Sequence, residues 1–321
     1  MKKFKLIATL YIFIILVLTA IIIYEKSSAR HIAAKSVYAE SPTKELSYEI
    51  TVKRDLLALM MAYPEHIKGL EKKKDNTIYV IMQSGNKIVY DDMKLKNYEE
   101  KLADADLQDM MEQVYPLSDI STIMEANFDP GRIRVYDFLH EVYGSTQGEI
   151  EKNLTNVSLG SKNFPFNKNN DSAFALKAAF QELSDLVHSN PDIYSFVYPV
   201  NGTYNYRVIA GTNQLSPHSF GIAIDLKSNK CDYWRWATKK QGQNRLDSYP
   251  RELVRVFENN YFIWGGKWAH FDFLHFEYRP ELIIKSKYYI DPNNMIDPWY
   301  YGYPDTGLTQ NYISMIERAF E

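Results

Sequence analysis

The stretch Ser216-Pro217-His218-Ser219-Phe220-Gly221-Ile222-Ala223-Ile224-Asp225 constrains the fold most. It sets an imidazole and a carboxylate seven residues apart with only small or apolar residues between them. Some forty residues on, Trp264-Gly265-Gly266-Lys267-Trp268-Ala269-His270-Phe271-Asp272-Phe273-Leu274-His275-Phe276-Glu277 supplies a second imidazole and more carboxylates. A catalytic zinc takes three protein ligands from His and carboxylate side chains and leaves a fourth position for water. His218, Asp225 and His275 would fill three corners of one such site. Their spacing is not that of a helix-borne His-Glu-x-x-His pair, so the ligands must come from strands and loops brought together by folding. In Gly221 to Leu226 the alternation suits a strand, with Ile222, Ile224 and Leu226 toward the core and Ala223 and Asp225 on the other face.

Ser-x-His-x-x-Gly-x-Ala-x-Asp followed by Trp-Gly-Gly-x-Trp and Asp-x-x-His-Phe-Glu resembles the D-alanyl-D-alanine carboxypeptidase family of zinc peptidases. That family also includes phage L-alanyl-D-glutamate endolysins, and it is more distantly similar to D,D-dipeptidases and the hedgehog fold. The resemblance covers roughly Phe128 to Leu282. It implies an α+β fold, a small antiparallel sheet with packed helices, holding one Zn2+ per chain. It also implies a role for Arg207, which would face the substrate and steady the developing oxyanion. Asp272, three residues before His275, would reach the open metal position as general base without being a ligand. Ser216 would bond substrate or orient the loop carrying His218. Trp268 would wall the cleft, and Glu277 would support His275 or face the substrate. The reaction implied is hydrolysis of peptidoglycan stem peptides, as a D-alanyl-D-alanine carboxypeptidase. The alternatives are an L-alanyl-D-glutamate type endopeptidase and a non-catalytic zinc-containing cell-wall binding module.

Composition narrows the partners. A net charge of -3 gives no reason to expect nucleic acid. Cys231 is the single cysteine, so no intrachain disulfide is possible. At the amino terminus Lys2, Lys3 and Lys5 precede the uncharged run Leu6 to Tyr24, nineteen residues that as a helix would be ~28 Å long. That length favours an uncleaved signal anchor with the lysines inside and the catalytic part outside the cytoplasmic membrane. Ser27-Ser28-Ala29 offers a cleavage site for the alternative, a secreted form.

The expected organisation is a signal anchor over 1–29, a tether and mixed α/β region over 30–126, the zinc peptidase domain over 127–290 and an extension over 291–321. Within it, Lys53 to Tyr63 reads as a buried helix closed by Pro64, and Thr77–Met82 with Lys87–Tyr90 as a hairpin turning at Gly85. Leu102 to Tyr115 has the period of a surface helix. Asp171 to Asn190 forms the clearest amphipathic helix. Tyr194 to Ile209 reads as strand, Pro250 to Asn260 as a helix begun by proline, Pro292 to Thr309 as loop and Asn311 to Phe320 as a closing helix.

Overall fold

The computed structural model describes residues 42–291 and 297–321. The chain divides into two compact units, residues 1–51 and 52–321. The uncharged run Leu6 to Tyr24 lies outside the described residues. Among the described residues no helix is long and apolar enough to cross a membrane.

Helix α1 (Pro42–Ala62) ends before Pro64, as the loss of a backbone donor requires. Strands β1 (Ile67–Lys72), β2 (Ile78–Met82) and β3 (Lys87–Val89) form an antiparallel sheet in that order. The expected hairpin is there, and β1 adds a third strand that its Lys and Glu content hid. The periodic run from Leu102 is two short helices instead of one: α2 (Tyr98–Ala103) and α3 (Leu107–Met111). Asp106 caps α3 through its side chain, and Leu107, Met110 and Met111 are buried. A cap acid inside the run interrupts the helix that the apolar spacing alone suggests.

Helices α4 (Tyr136–Tyr143) and α5 (Gln147–Lys152) lead to a hairpin of β4 (Leu154–Leu159) and β5 (Lys162–Asn167). Helix α6 (Ser172–Ser189) packs Leu176, Ala179, Phe180 and Leu183 inward. Tyr194–Val197 is a short helix, α7, not the start of a strand. The residues after it make only isolated bridges, Gly202 with Asp225 and Val208 with Leu215. Pro199 and Asn201-Gly202 break the segment before any ladder can form.

One turn of helix, α8 (Pro217–Phe220), precedes β6 (Ala223–Asp225). Helices α9 (Lys239–Ser248) and α10 (Arg251–Asn259) follow, then β7 (Phe262–Trp264) and β8 (His275–Tyr278). These strands form an antiparallel sheet in the order β6-β8-β7. Its register sets Asp225 opposite His275, Ile224 opposite Phe276 and Trp264 opposite Phe276. Phe276 stacks on Phe257 of α10 with ring centroids 4.1 Å apart. One face of β8 thus builds core, and the other carries His275 and Glu277. Helices α11 (Pro280–Lys287) and α12 (Gly307–Phe320) close the chain. The described part is α+β with small antiparallel sheets.

A chain of buried charges runs beneath β8. Glu277 has no exposed side-chain area and is held by Arg134, Nε to Oε1 at 2.9 Å and Nη2 to Oε2 at 2.5 Å. Arg279 reaches Glu277 at 3.3 Å and Glu281 at 2.5 Å, and Tyr63 donates to Glu281 at 2.6 Å. Burial alone would raise the Glu277 carboxyl, but Arg134 and Arg279 hold it well below the usual carboxylate range. Its stabilising contribution is therefore present above the unfolded-state value of ~4.3 and lost as pH falls below that. Breaking a buried pair by removing one partner costs about 3–5 kcal/mol. Arg134→Met should lose roughly that much in urea unfolding, and Arg134→Lys should recover only part because it lacks the fork.

Candidate metal centre

Asp225 and His275 meet because the sheet register makes them cross-strand neighbours. His218 comes from α8, where Ser216 caps the turn by accepting from the His218 amide at 3.4 Å. Gly221 ends that turn in the left-handed region at φ +68°, and a Cβ there would lie 2.6 Å from Leu154. Glycine therefore permits the tight path from His218 into β6.

The three donor atoms converge. His218 Nε2 lies 3.2 Å from His275 Nδ1, His275 Nδ1 lies 3.0 Å from Asp225 Oδ1, and His218 Nε2 lies 3.2 Å from Asp225 Oδ1. Tetrahedral ligands at the ~2.0–2.1 Å of zinc–nitrogen and zinc–oxygen bonds stand ~3.3 Å apart. The triangle is thus near the face that a zinc ion would cap. His218 Nδ1 stands 2.5 Å from the Thr203 carbonyl, which as an acceptor fixes the proton on Nδ1 and leaves the Nε2 lone pair pointing at the cluster. His275 Nε2 faces Glu277 Oε2 at 3.7 Å on its far side. Burial raises the Asp225 carboxyl, yet the two imidazoles beside it hold it far below the usual range. Burial lowers the His275 imidazole, but Asp225 and Glu277 raise it to about 10. Two imidazoles and a carboxylate held this close are a donor set that fits a divalent cation of the zinc type.

Asp272 stands apart from the triangle. Its amide donates to the Gly265 carbonyl at 2.9 Å, and its own carbonyl accepts from His275 at 3.2 Å. A Cβ at Gly265 would sit 2.6 Å from that Asp272 carbonyl, so glycine is needed for the approach. Asp272 Oδ1 is buried and bonds nothing among the described residues. Burial pushes the carboxyl up to about 7, with His275 opposing the shift and Asp225 and Asp232 adding to it.

The other expected site residues fall in different places. Arg207 is exposed, while its backbone is tied to the metal loop. Its amide donates to Ser219 Oγ at 2.8 Å and its carbonyl accepts from the Ser216 amide at 3.0 Å. Ser216 is buried at the helix cap, so its hydroxyl orients the His218 turn and has no surface to offer a substrate. Trp268 is also buried: its ring lies 5.7 Å from the His275 ring and its Nε1 donates to the Pro130 carbonyl at 2.7 Å. It walls the imidazole. Glu277, expected to support His275 or face the substrate, has both oxygens taken by arginines and no exposed area, and it lies beneath His275. His270 is occupied by Asp129 at 2.7 Å, and Cys231 is not among the converging atoms.

Sequence reasoning did not find Thr203, because a backbone carbonyl has no residue signature. It also did not find Tyr233, whose pairing with Asp272 is an isolated bridge. A second grouping, Asp91, Asp92 and Asp106, already holds the Lys96 ammonium 3.1 Å from Asp92 and from Asp106.

Metal analysis of purified variants tests the ligand set. His218→Ala, Asp225→Ala and His275→Ala should each bind far less added zinc than the parent protein, because a three-ligand site loses a corner. Asp272→Asn should bind zinc as the parent does. Retention by Asp225→Ala with loss by Asp272→Asn would exchange the roles of the two carboxylates.

Residues 210–278, the segment that carries these ligands, match the family described as D-alanyl-D-alanine carboxypeptidase. No curated protein and no solved structure matches the chain.

Proposed function

We propose, from the match of residues 210–278 to the family described as D-alanyl-D-alanine carboxypeptidase, that this chain is a zinc-dependent hydrolase of peptidoglycan stem peptides. Release of the terminal D-alanine is the activity assigned first. The observation that carries the reading is the His218, Asp225 and His275 triangle in the matched segment, with Asp272, whose buried Oδ1 has no partner among the described residues, three residues before His275.

A bound zinc ion would polarise the scissile carbonyl and make water acidic enough to attack near neutral pH. The chain's own groups supply the rest. His218, held by Thr203, and His275, backed by Glu277, keep their donor nitrogens aimed at one point. Asp272 accepts the proton of the attacking water and passes it to the leaving amine. Arg207, with its guanidinium exposed on a segment bonded to the His218 turn, steadies charge that develops on the carbonyl oxygen. Trp268 keeps bulk water from one side of His275. We further infer that Leu6 to Tyr24 anchors the protein and that catalysis occurs outside the membrane. Lys2, Lys3 and Lys5 before an uncharged span support this reading.

Mass spectrometry of defined stem peptides incubated with the zinc-loaded protein tests the assignment. Loss of a single terminal alanine is expected. A split into two peptides would make it an endopeptidase, and no cleavage with zinc bound would leave a binding module. The pH profile gives a second check. A carboxyl raised to about 7 holds a proton below that value and accepts one above it, so the rate rises with pH along an acid limb. A bound dication lowers the carboxyl, which puts the limb at or below that value. Asp272→Asn should erase the limb and reduce kcat by ~10²–10⁴-fold.

The anchor is checked by fractionation: the full chain should sediment with membranes, and its carboxyl terminus should be cut by protease added outside spheroplasts. A soluble form beginning near Arg30 would mean that the span is removed.

A further inference from the structure

The peptidase reading uses Asp272 and leaves the aromatic residues beside it without a role. Asp272 and Tyr233 are partners in an isolated antiparallel bridge. Residues directly opposite in such a pair carry their side chains on the same face. The Tyr233 and Asp272 side chains therefore leave the bridge on the same face. The Tyr233 ring meets Trp236 edge-on with centroids 5.1 Å apart, and Trp236 is 65% exposed. Aromatic surface thus leads outward from the candidate reaction centre, from Asp272 through Tyr233 to Trp236.

The segment that bears these rings is pinned on both sides. Buried Asp232 accepts from Arg245 Nε at 2.6 Å and from the Asn229 amide at 2.5 Å. The Phe273 amide donates to the Asp232 carbonyl at 2.8 Å, and the Trp234 amide donates to the Phe271 carbonyl at 3.0 Å. A turn closed by the Trp236 amide on the Tyr233 carbonyl, 2.8 Å, sets the two rings together. Trp234 lies against His270 at 4.6 Å and carries the Arg235 guanidinium 5.0 Å from its ring centre. An exposed indole on a fixed turn has little freedom left to lose on binding.

We propose that Tyr233 and Trp236 form a sugar-stacking subsite for the N-acetylhexosamine that bears the stem peptide, so that glycan-linked stems are preferred to free ones. The inference rests on the peptidase reading. A pyranose presents an apolar face of C–H groups rimmed by hydroxyls, and an indole offers a matching flat apolar face with one N–H at its edge. The bridge sets Tyr233 across from Asp272 at about 5 Å between Cα atoms, and the Tyr233 and Trp236 ring centres are 5.1 Å apart, so Trp236 lies within the reach of a few extended residues from Asp272. A short stem could therefore join a sugar on Trp236 to an amide at the metal centre.

The test uses the full-length zinc-loaded protein and two substrates with the same stem peptide, one free and one on an N-acetylglucosaminyl-N-acetylmuramic acid disaccharide. The linked substrate should have a kcat/KM about three- to tenfold higher, carried mainly by KM. Trp236→Ala should bring the two substrates to parity, and Trp236→Phe should retain most of the preference. Saturation-transfer NMR with the disaccharide alone should give signal at its ring protons with the parent protein and lose it with Trp236→Ala. Parity in the parent protein without that signal overturns the subsite. A concentration-dependent dimer abolished by Trp236→Ala, without disaccharide binding, assigns the rings to a second copy and also overturns it. If neither substrate is cleaved the peptidase reading falls, and the NMR experiment still decides whether the sugar binds.

Discussion

Strand β8 puts His275 and Glu277 two residues apart on one face, so the imidazole of the candidate metal centre and a carboxylate with no exposed side-chain area share one side of the sheet. An unpaired charge there would be too costly to keep. Arg134 and Arg279 neutralise Glu277, Glu281 balances Arg279, and Tyr63 completes Glu281. The position of His275 therefore depends on groups from residues 63 to 281. A defect in that buried chain would be felt first as a displaced imidazole.

The same pattern explains why residues 52–126 belong to one compact unit with the matched segment. Lys285 pairs with Asp55 at 2.7 Å, and Asp55 also accepts from Tyr90 at 2.9 Å. Tyr115 donates to Glu258 at 2.5 Å and accepts from the Trp264 amide at 2.9 Å. Lys267, between the two glycines and Trp268, spends its charge on Glu258 and the Pro116 carbonyl, both at 2.6 Å. These bonds brace β7 and the turn after it, which bring Gly265 against Asp272. The early residues thus act on the site through the loop that sets the carboxylate's place.

What could be read from the sequence follows from how local each signal is. His218 and Asp225 lie on one short stretch whose small residues imply a close approach, and the Asp-x-x-His spacing keeps Asp272 near His275. Their union needed only the register of two strands. Helices with strong periodicity, such as Ser172–Ser189 and Arg251–Asn259, fall close to where their apolar spacing puts them. Glu277 stayed open between supporting His275 and facing the substrate because its neighbours Arg134 and Arg279 meet it by tertiary folding, and an acid beside a ligand histidine looks alike whether buried or open. Ser216 was ambiguous for the same reason: a hydroxyl before a histidine suits a cap as well as a substrate contact. Tyr194 to Ile209 failed as a strand because aromatic and β-branched content marks a surface that can pair, while a ladder also needs an unbroken run, and Pro199 and Asn201-Gly202 interrupt this one. Only Asn201 and Gly202 of that segment bond the backbone of Asp225.

Charge explains why the two carboxylates can behave differently though His275 acts on both. Asp225 faces both imidazoles within 3.2 Å and stays ionised in spite of burial. Asp272 has a buried oxygen with no hydrogen-bond partner, and Asp225 adds a like charge nearby. Environments that drive two acids apart in this way divide them into a permanent anion and a group that can take up and release a proton near neutrality. The anion is the one aimed at the imidazoles, where a cation would be held. The titrating group lies outside the triangle of His218, Asp225 and His275. The division follows from two contacts: the strand register that gives Asp225 to His275, and the Gly265 approach that leaves Asp272 Oδ1 buried with nothing to bond.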